Sequence, residues 1–175
     1  MKIMIIGSSG AGKSTLARLL GEQLPFEITH LDAHYWKENW RETPRDEWIA
    51  WQETLMEKES WIIDGNYGST MDIRLKAADV IIFLDYSRWV CLWSVIKRRF
   101  MYHGKTRPDM GKGCPEKLDW EFLKWVYDFP REEAPGIRQK LKEVSSDKKV
   151  YHLRHRRELA GHLHQIKMTY HQISQ

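Results

Sequence analysis

Four apolar residues, Ile3 to Ile6, run directly into GSSGAGKST at 7–15, and Leu16 to Leu20 then continue with helical spacing. A buried strand followed at once by a glycine-rich turn and a helix leaves few folds open. GSSGAGKS fits G-x-x-x-x-G-K-[ST] at Gly7, Gly12, Lys13 and Ser14. Glycines let the backbone curl so that successive N–H groups point at one centre. A helix beginning at Lys13 aims its positive dipole end at the same point. The stretch Gly7, Ser8, Ser9, Gly10, Ala11, Gly12, Lys13, Ser14 and Thr15 is therefore read as a phosphate-binding loop. In it Lys13 reaches the β- and γ-phosphates, and the Ser14 hydroxyl joins Mg²⁺ coordination.

The same alternation recurs along the chain. Strands are expected at Lys2–Ile6, Glu27–Leu31, Trp61–Asp64, Val80–Leu84 and Lys149–Leu153. Between them helical patterns cover Lys13–Gln23, Arg45–Glu59, Trp89–Tyr102, Glu116–Phe129 and Glu132–Val144, with Glu158–Gln165 last. VIIFL at 80–84 is apolar throughout, as a strand covered on both faces must be. Strands alternating with helices predict an α/β fold with a parallel sheet between helical layers. With 175 residues and no repeat or Pro/Gly/Ser-rich linker, one domain is expected. One stretch breaks the rhythm: HGKTRPDMGKGCP from His103 carries Lys105, Arg107 and Lys112. It is read either as a surface loop or as a mobile lid that brings cations over a bound nucleotide.

Composition narrows the class. No apolar run approaches membrane-spanning length, and the N-terminal run is too short for a signal peptide. Two cysteines, Cys91 and Cys114, form no metal-ligand pattern and fit a reducing cytosol. The formal charge of +4 suits anionic ligands, nucleotides and nucleic acid alike. The basic stretch HLRHRRE from His152 is read either as a solvated patch or as a site for nucleic-acid phosphates. No helix-turn-helix, zinc finger or basic heptad region accompanies it.

The order GSSGAGKST, THLDAHYW, WIIDGNYGSTMDIR and ADVIIFLDYSRWVCLWSVIKRR resembles an adenylate-kinase-like small P-loop kinase. GKTRPDMGKGCPEKLDWEFLKWVYDFP is similar to the narrower group labelled "DNA topology modulation protein". The resemblance implies a three-layer α/β/α domain, a five-stranded parallel sheet and a short helical lid at about 98–116. It implies ATP and Mg²⁺, with Asp64, after its apolar strand, as an acid holding the metal's water shell; the alternative is a simple turn cap. Asp32 ends the second strand opposite the phosphates. It either faces an acceptor hydroxyl or closes an Asx turn. Arg98 is implied to face the γ-phosphate, with Arg107 in the lid beside it. Arg74 and Arg45 are implied to face the acceptor.

The chain departs from adenylate kinases at Ser94, where they carry an adenine-packing arginine, and at GNYGSTMDIR, where they read Gly-Phe-Pro-Arg. Trp36 and Trp40, with Tyr35, form either a stacking wall for the acceptor or core packing. Trp89, Trp93, Trp120 and Trp125 are read as packing residues, and His30 and His34 as flanking Asp32. The reading is a cytosolic kinase transferring the γ-phosphoryl of ATP to a small acceptor, a nucleotide or nucleoside. The alternative is an ATP-switched DNA-binding regulator with no small acceptor.

Overall fold

The computed structural model describes residues 1–103, 107, 109–111, 113–114 and 118–173. The first elements are β1 (Lys2–Gly7), α1 (Lys13–Gly21), β2 (Ile28–His30) and α2 (Leu31–Tyr35). A small ribbon follows, β3 (Trp36–Lys37) and β4 (Arg41–Glu42), and then α3 (Arg45–Met56), β5 (Trp61–Asp64) and α4 (Met71–Ala77). The remainder is β6 (Val80–Leu84), α5 (Arg88–Met101), α6 (Trp120–Glu132), α7 (Ala134–Val144), β7 (Lys149–Leu153) and α8 (Arg156–Ile173).

β1, β2, β5, β6 and β7 form one five-stranded, all-parallel sheet in the order β2-β5-β1-β6-β7. The strand feeding the glycine loop is thus central, with Ile5 opposite both Asp64 and Ile82. Side chains alternate across the sheet, and both faces are covered. Ile3 and Ile5 pack with Leu16, Leu20, Val95 and Val126 on one side; Met4 and Ile6 pack with Trp48, Trp61 and Phe129 on the other. That double cover is why the strands carry no polar alternation. Parallel order also sends every strand's carboxyl end to one edge, where Gly7, His30 and Asp64 gather.

Three expectations are corrected. The second strand stops at His30, not Leu31, so Asp32 lies in α2. Leu31 is fully buried and packs where a side chain on Gly65 would otherwise stand, its Cβ 2.8 Å from the position of that missing Cβ. α6 begins at Trp120, because the Asp119 side chain caps it by accepting from the Phe122 N–H at 2.7 Å. The expected start, Glu116, lies outside the described residues, as do Lys105 and Lys112. Trp89, Trp93 and Trp120 do not pack in the core but are 66%, 69% and 76% exposed. α5 buries Cys91 and Val95 instead, the opposite stripe of the same helix. Among the described residues no helix is long and apolar enough to cross a membrane.

Candidate active site

The loop after β1 closes tightly. Gly10 and Gly12 have φ of +79° and +98°, a region open to glycine and strained for other residues. A Cβ on Gly10 would stand 2.3 Å from the Cys91 carbonyl oxygen, so α5 is packed directly against the loop. Lys13 folds back over it, its Nζ donating to the carbonyls of Gly7 (2.9 Å) and Ser8 (3.1 Å). Burial lowers the Lys13 pKa, while the Asp32 and Asp64 carboxylates oppose that loss of charge.

Ser14 and Asp64 meet. The Ser14 hydroxyl donates to Asp64 Oδ2 at 2.7 Å, and His30 Nδ1 lies 2.5 Å from Asp64 Oδ1. Burial pulls the His30 imidazole down, but the hydrogen bond and charge of Asp64 outweigh it and raise the pKa. Asn66, just beyond β5, accepts from the Gly7 N–H at 2.9 Å and ties this turn to the glycine loop.

A cavity of about 300 Å³ opens over the loop, lined by Lys13, Ser14, Thr15, Asp64, Arg98 and Arg156 among others. Arg98 reaches in from α5, its guanidinium 3.4 Å from Ser9 Oγ. Arg107 and Asp109 also line it, paired at 3.0 Å. Burial raises the Asp109 carboxyl, but the Arg107 charge, hydrogen bonds from Ser14 and the backbone, and His30 together outweigh it and hold it low. Ser94 donates to the Val90 carbonyl and accepts from Arg156 Nη2 at 2.7 Å. An arginine thus arrives from α8 where the sequence offers only serine on α5.

A second cavity, of about 630 Å³, shares Ser9, Lys13, Asp32, Gly65, Arg98 and Arg107 with the first. Beyond that common wall it is aromatic: Trp36, Trp40, Tyr67, Phe122 and Trp125. Tyr67 donates to Asp32 Oδ1 at 2.7 Å; burial, and then the Asp32 charge, push its hydroxyl pKa upward. Trp40 is held at φ +61° beside Asn39 at +62°, at the tip of the β3–β4 ribbon. Residues beyond α5 lie on this ribbon: the Gly113 carbonyl accepts from the Asn39 N–H at 3.3 Å. A Cβ on Gly111 would stand 2.2 Å from the Trp36 carbonyl oxygen.

Of the expected site residues, Ser9, Gly10, Gly12, Lys13, Ser14 and Thr15 of the loop, with Asp64, Asp32, Trp36, Arg98 and Arg107, line these two joined cavities, and the buried Gly7, Ser8 and Ala11 belong to the same loop without lining either. Two others stand apart. Arg45 is exposed at the start of α3 and lines neither cavity. Arg74 is fully buried and its guanidinium donates to the carbonyls of Gly65, Asn66 and Tyr67. It organises the turn after β5 and cannot also face an acceptor. Burial lowers its pKa to about 9. His30 pairs with Asp64, and the exposed His34 stacks on Trp51 at 4.5 Å. One other reading is corrected. Trp125 turns toward the second cavity instead of only packing on Phe129. Asn66, Tyr67, Asp109 and Phe122 carry no separate signal in the sequence.

A central strand, a glycine loop with its lysine, and a serine–aspartate pair at the carboxyl edge of a parallel sheet define the fold of P-loop kinases. Solved structures agree. A shikimate kinase from Acinetobacter baumannii in complex with shikimate superposes with a TM-score of 0.61, 16% identical, covering 97% of this chain and 93% of that one. A deoxyadenosine kinase from M. mycoides with bound dATP superposes at 0.50, 16% identical, covering 98% and 100%. No protein-family profile matches the chain. The chain belongs to the same family as YqaC of Bacillus subtilis (strain 168), an uncharacterized protein 30% identical over 131 residues, 72% of each chain.

Proposed function

We propose that the protein is an ATP- and Mg²⁺-dependent small-molecule kinase that transfers the γ-phosphoryl of ATP to a hydroxyl-bearing acceptor, a nucleotide or nucleoside. One observation carries this reading: a cation-lined cavity over the glycine loop and an aromatic cavity share a wall of Lys13, Asp32, Arg98 and Arg107. Phosphoryl transfer needs that junction, with donor phosphates on one side, an acceptor on the other, and fixed positive charge where oxygens develop negative charge. The two named neighbours, a shikimate kinase and a deoxyadenosine kinase, support a small-molecule kinase on this fold.

In this reading the loop backbone from Gly7 to Thr15 cradles the phosphates. Lys13 leaves the loop carbonyls to follow the γ-phosphoryl, and Arg98 and Arg107 neutralise its equatorial oxygens. Ser14 and Asp64 are an oxygen pair suited to a hard divalent cation. They would hold Mg²⁺, which would supply charge neutralisation at the bound phosphates. Asp32, braced by Tyr67, orients the acceptor hydroxyl and takes its proton. Arg156, resting on Ser94 at the rim, is placed to contact the nucleotide. The RPDMGKGCPEK segment keeps the resemblance to the topology-modulation group within this reading, as a label that names no chemistry.

The DNA-binding alternative gains no observation of its own. In the basic stretch His152 bonds Asp85 and Arg156 turns to the phosphate cavity. The test is Mg²⁺- and ATP-dependent ADP release across nucleosides, nucleoside monophosphates and small sugars. Acceptor-dependent release that vanishes in Lys13→Ala supports the kinase; intact ATP binding with no acceptor-dependent release rejects it.

A further inference from the structure

The charge lining the aromatic cavity is one-sided. Its carboxylates are Asp32, Glu42 and Asp119. Its cations among the described residues are Lys13, Arg98 and Arg107, and all three stand on the wall shared with the phosphate cavity. Each of them has work there. Lys13 lies on the loop carbonyls, Arg98 at Ser9, and Arg107 against Asp109. The two arginines that could have served an anionic acceptor are absent from it, because Arg45 is outside and Arg74 is consumed by three backbone carbonyls. Past the shared wall an acceptor therefore meets aromatic faces with Glu42 and Asp119.

We infer that the acceptor is a ring-bearing alcohol that is uncharged or cationic, a nucleoside-like molecule and not a phosphate monoester or carboxylate. This rests on the kinase reading and narrows its acceptor class. Among the described residues that line the cavity past the shared wall none is a cation, so an anionic group beside Glu42 and Asp119 would meet like charge there, and like-charge juxtaposition is strongly discriminating. A flat ring instead stacks against Trp36, Trp40 and Trp125. N–H or ammonium groups on that ring find acceptors in the two carboxylates, and a cation gains further from the ring faces. The acceptor's hydroxyl oxygen forms its bond to the γ-phosphorus as the bond from that phosphorus to the β,γ-bridging oxygen breaks. ADP leaves with that electron pair, and the hydroxyl proton passes to the Asp32 carboxylate and then to water.

Matched acceptor pairs test this: adenosine against AMP and deoxycytidine against dCMP, with shikimate as a carboxylate, each with Mg·ATP. The nucleoside of a pair should be favoured in kcat/KM by at least about 100-fold. Glu42→Lys should raise the nucleoside KM by about 10-fold and narrow the preference, with Asp119→Asn, which keeps the helix cap, acting in the same direction. Arg45→Ala should change neither. A preferred monophosphate or carboxylate overturns the inference while leaving the kinase standing. A nucleoside preference indifferent to both Glu42→Lys and Asp119→Asn also overturns it. No transfer to any acceptor, with ATP still bound, rejects the kinase reading itself.

Discussion

The Ser14 hydroxyl donates to the Asp64 carboxylate at 2.7 Å across 50 positions of sequence. The contact exists because β5 lies beside β1 with Asp64 in register with Ile5, just before the loop. Two oxygen groups are thereby fixed beside the cavity over the glycine loop. Asp64→Asn keeps the size and removes the charge. Mg²⁺ affinity in the presence of ATP, read by calorimetry, should weaken about 10- to 100-fold. His30→Ala, which removes the other partner of Asp64, should weaken it less while leaving nucleotide affinity without Mg²⁺ unchanged. Equal Mg²⁺ affinity in wild type and Asp64→Asn would remove Asp64 from the metal site.

Arg74 separates a structural from a substrate role. Arg74→Met leaves the carbonyls of Gly65, Asn66 and Tyr67 buried without their donor. Urea unfolding should show a loss of about 3 kcal/mol or more. Acceptor KM, measured at a temperature where the variant is folded, should rise no more than kcat falls. Undiminished stability with a selectively raised KM would return Arg74 to the acceptor.

The glycines of the loop differ in cost. Gly10→Ala meets the Cys91 carbonyl oxygen at 2.3 Å in addition to its positive φ, whereas Gly12→Ala has open space and only backbone strain. Gly12→Ala should cost about 1–2 kcal/mol, and Gly10→Ala clearly more. Thermal unfolding of the two variants side by side reads the difference. Equal losses would mean that α5 does not hold the loop.

Trp40 carries strain at the aromatic cavity. At φ +61° a tryptophan is held by its surroundings, and glycine would adopt the same backbone without that cost. Trp40→Gly should leave stability unchanged or slightly higher and raise acceptor KM by about 10-fold or more through loss of stacking. A destabilised variant with unaltered KM would make Trp40 a packing residue.

Much of this was legible in the residues. The five sheet strands were readable because both faces of the sheet are covered, which leaves runs such as VIIFL without polar interruption. The loop was readable because its chemistry is local. What escaped was set by contacts distant in sequence. α2 depends on Leu31 entering the space left by Gly65, and the β3–β4 ribbon depends on two residues with positive φ and on Gly111, Gly113 and Cys114 lying against it. Arg74 reads as an acceptor arginine by position; only the path of the turn after β5 turns its guanidinium toward carbonyls. The exposed Trp89, Trp93 and Trp120 show the converse, since an amphipathic pattern does not say which stripe faces inward when both are apolar.

The most direct measurement follows the phosphorus. With Mg·ATP and a nucleoside acceptor, phosphorus NMR should show a new phosphate monoester appearing in equal amount with ADP, and neither in Lys13→Ala. ADP accumulating only with inorganic phosphate, or a phosphate monoester formed undiminished in Lys13→Ala, would contradict transfer across the wall that Lys13, Asp32, Arg98 and Arg107 share.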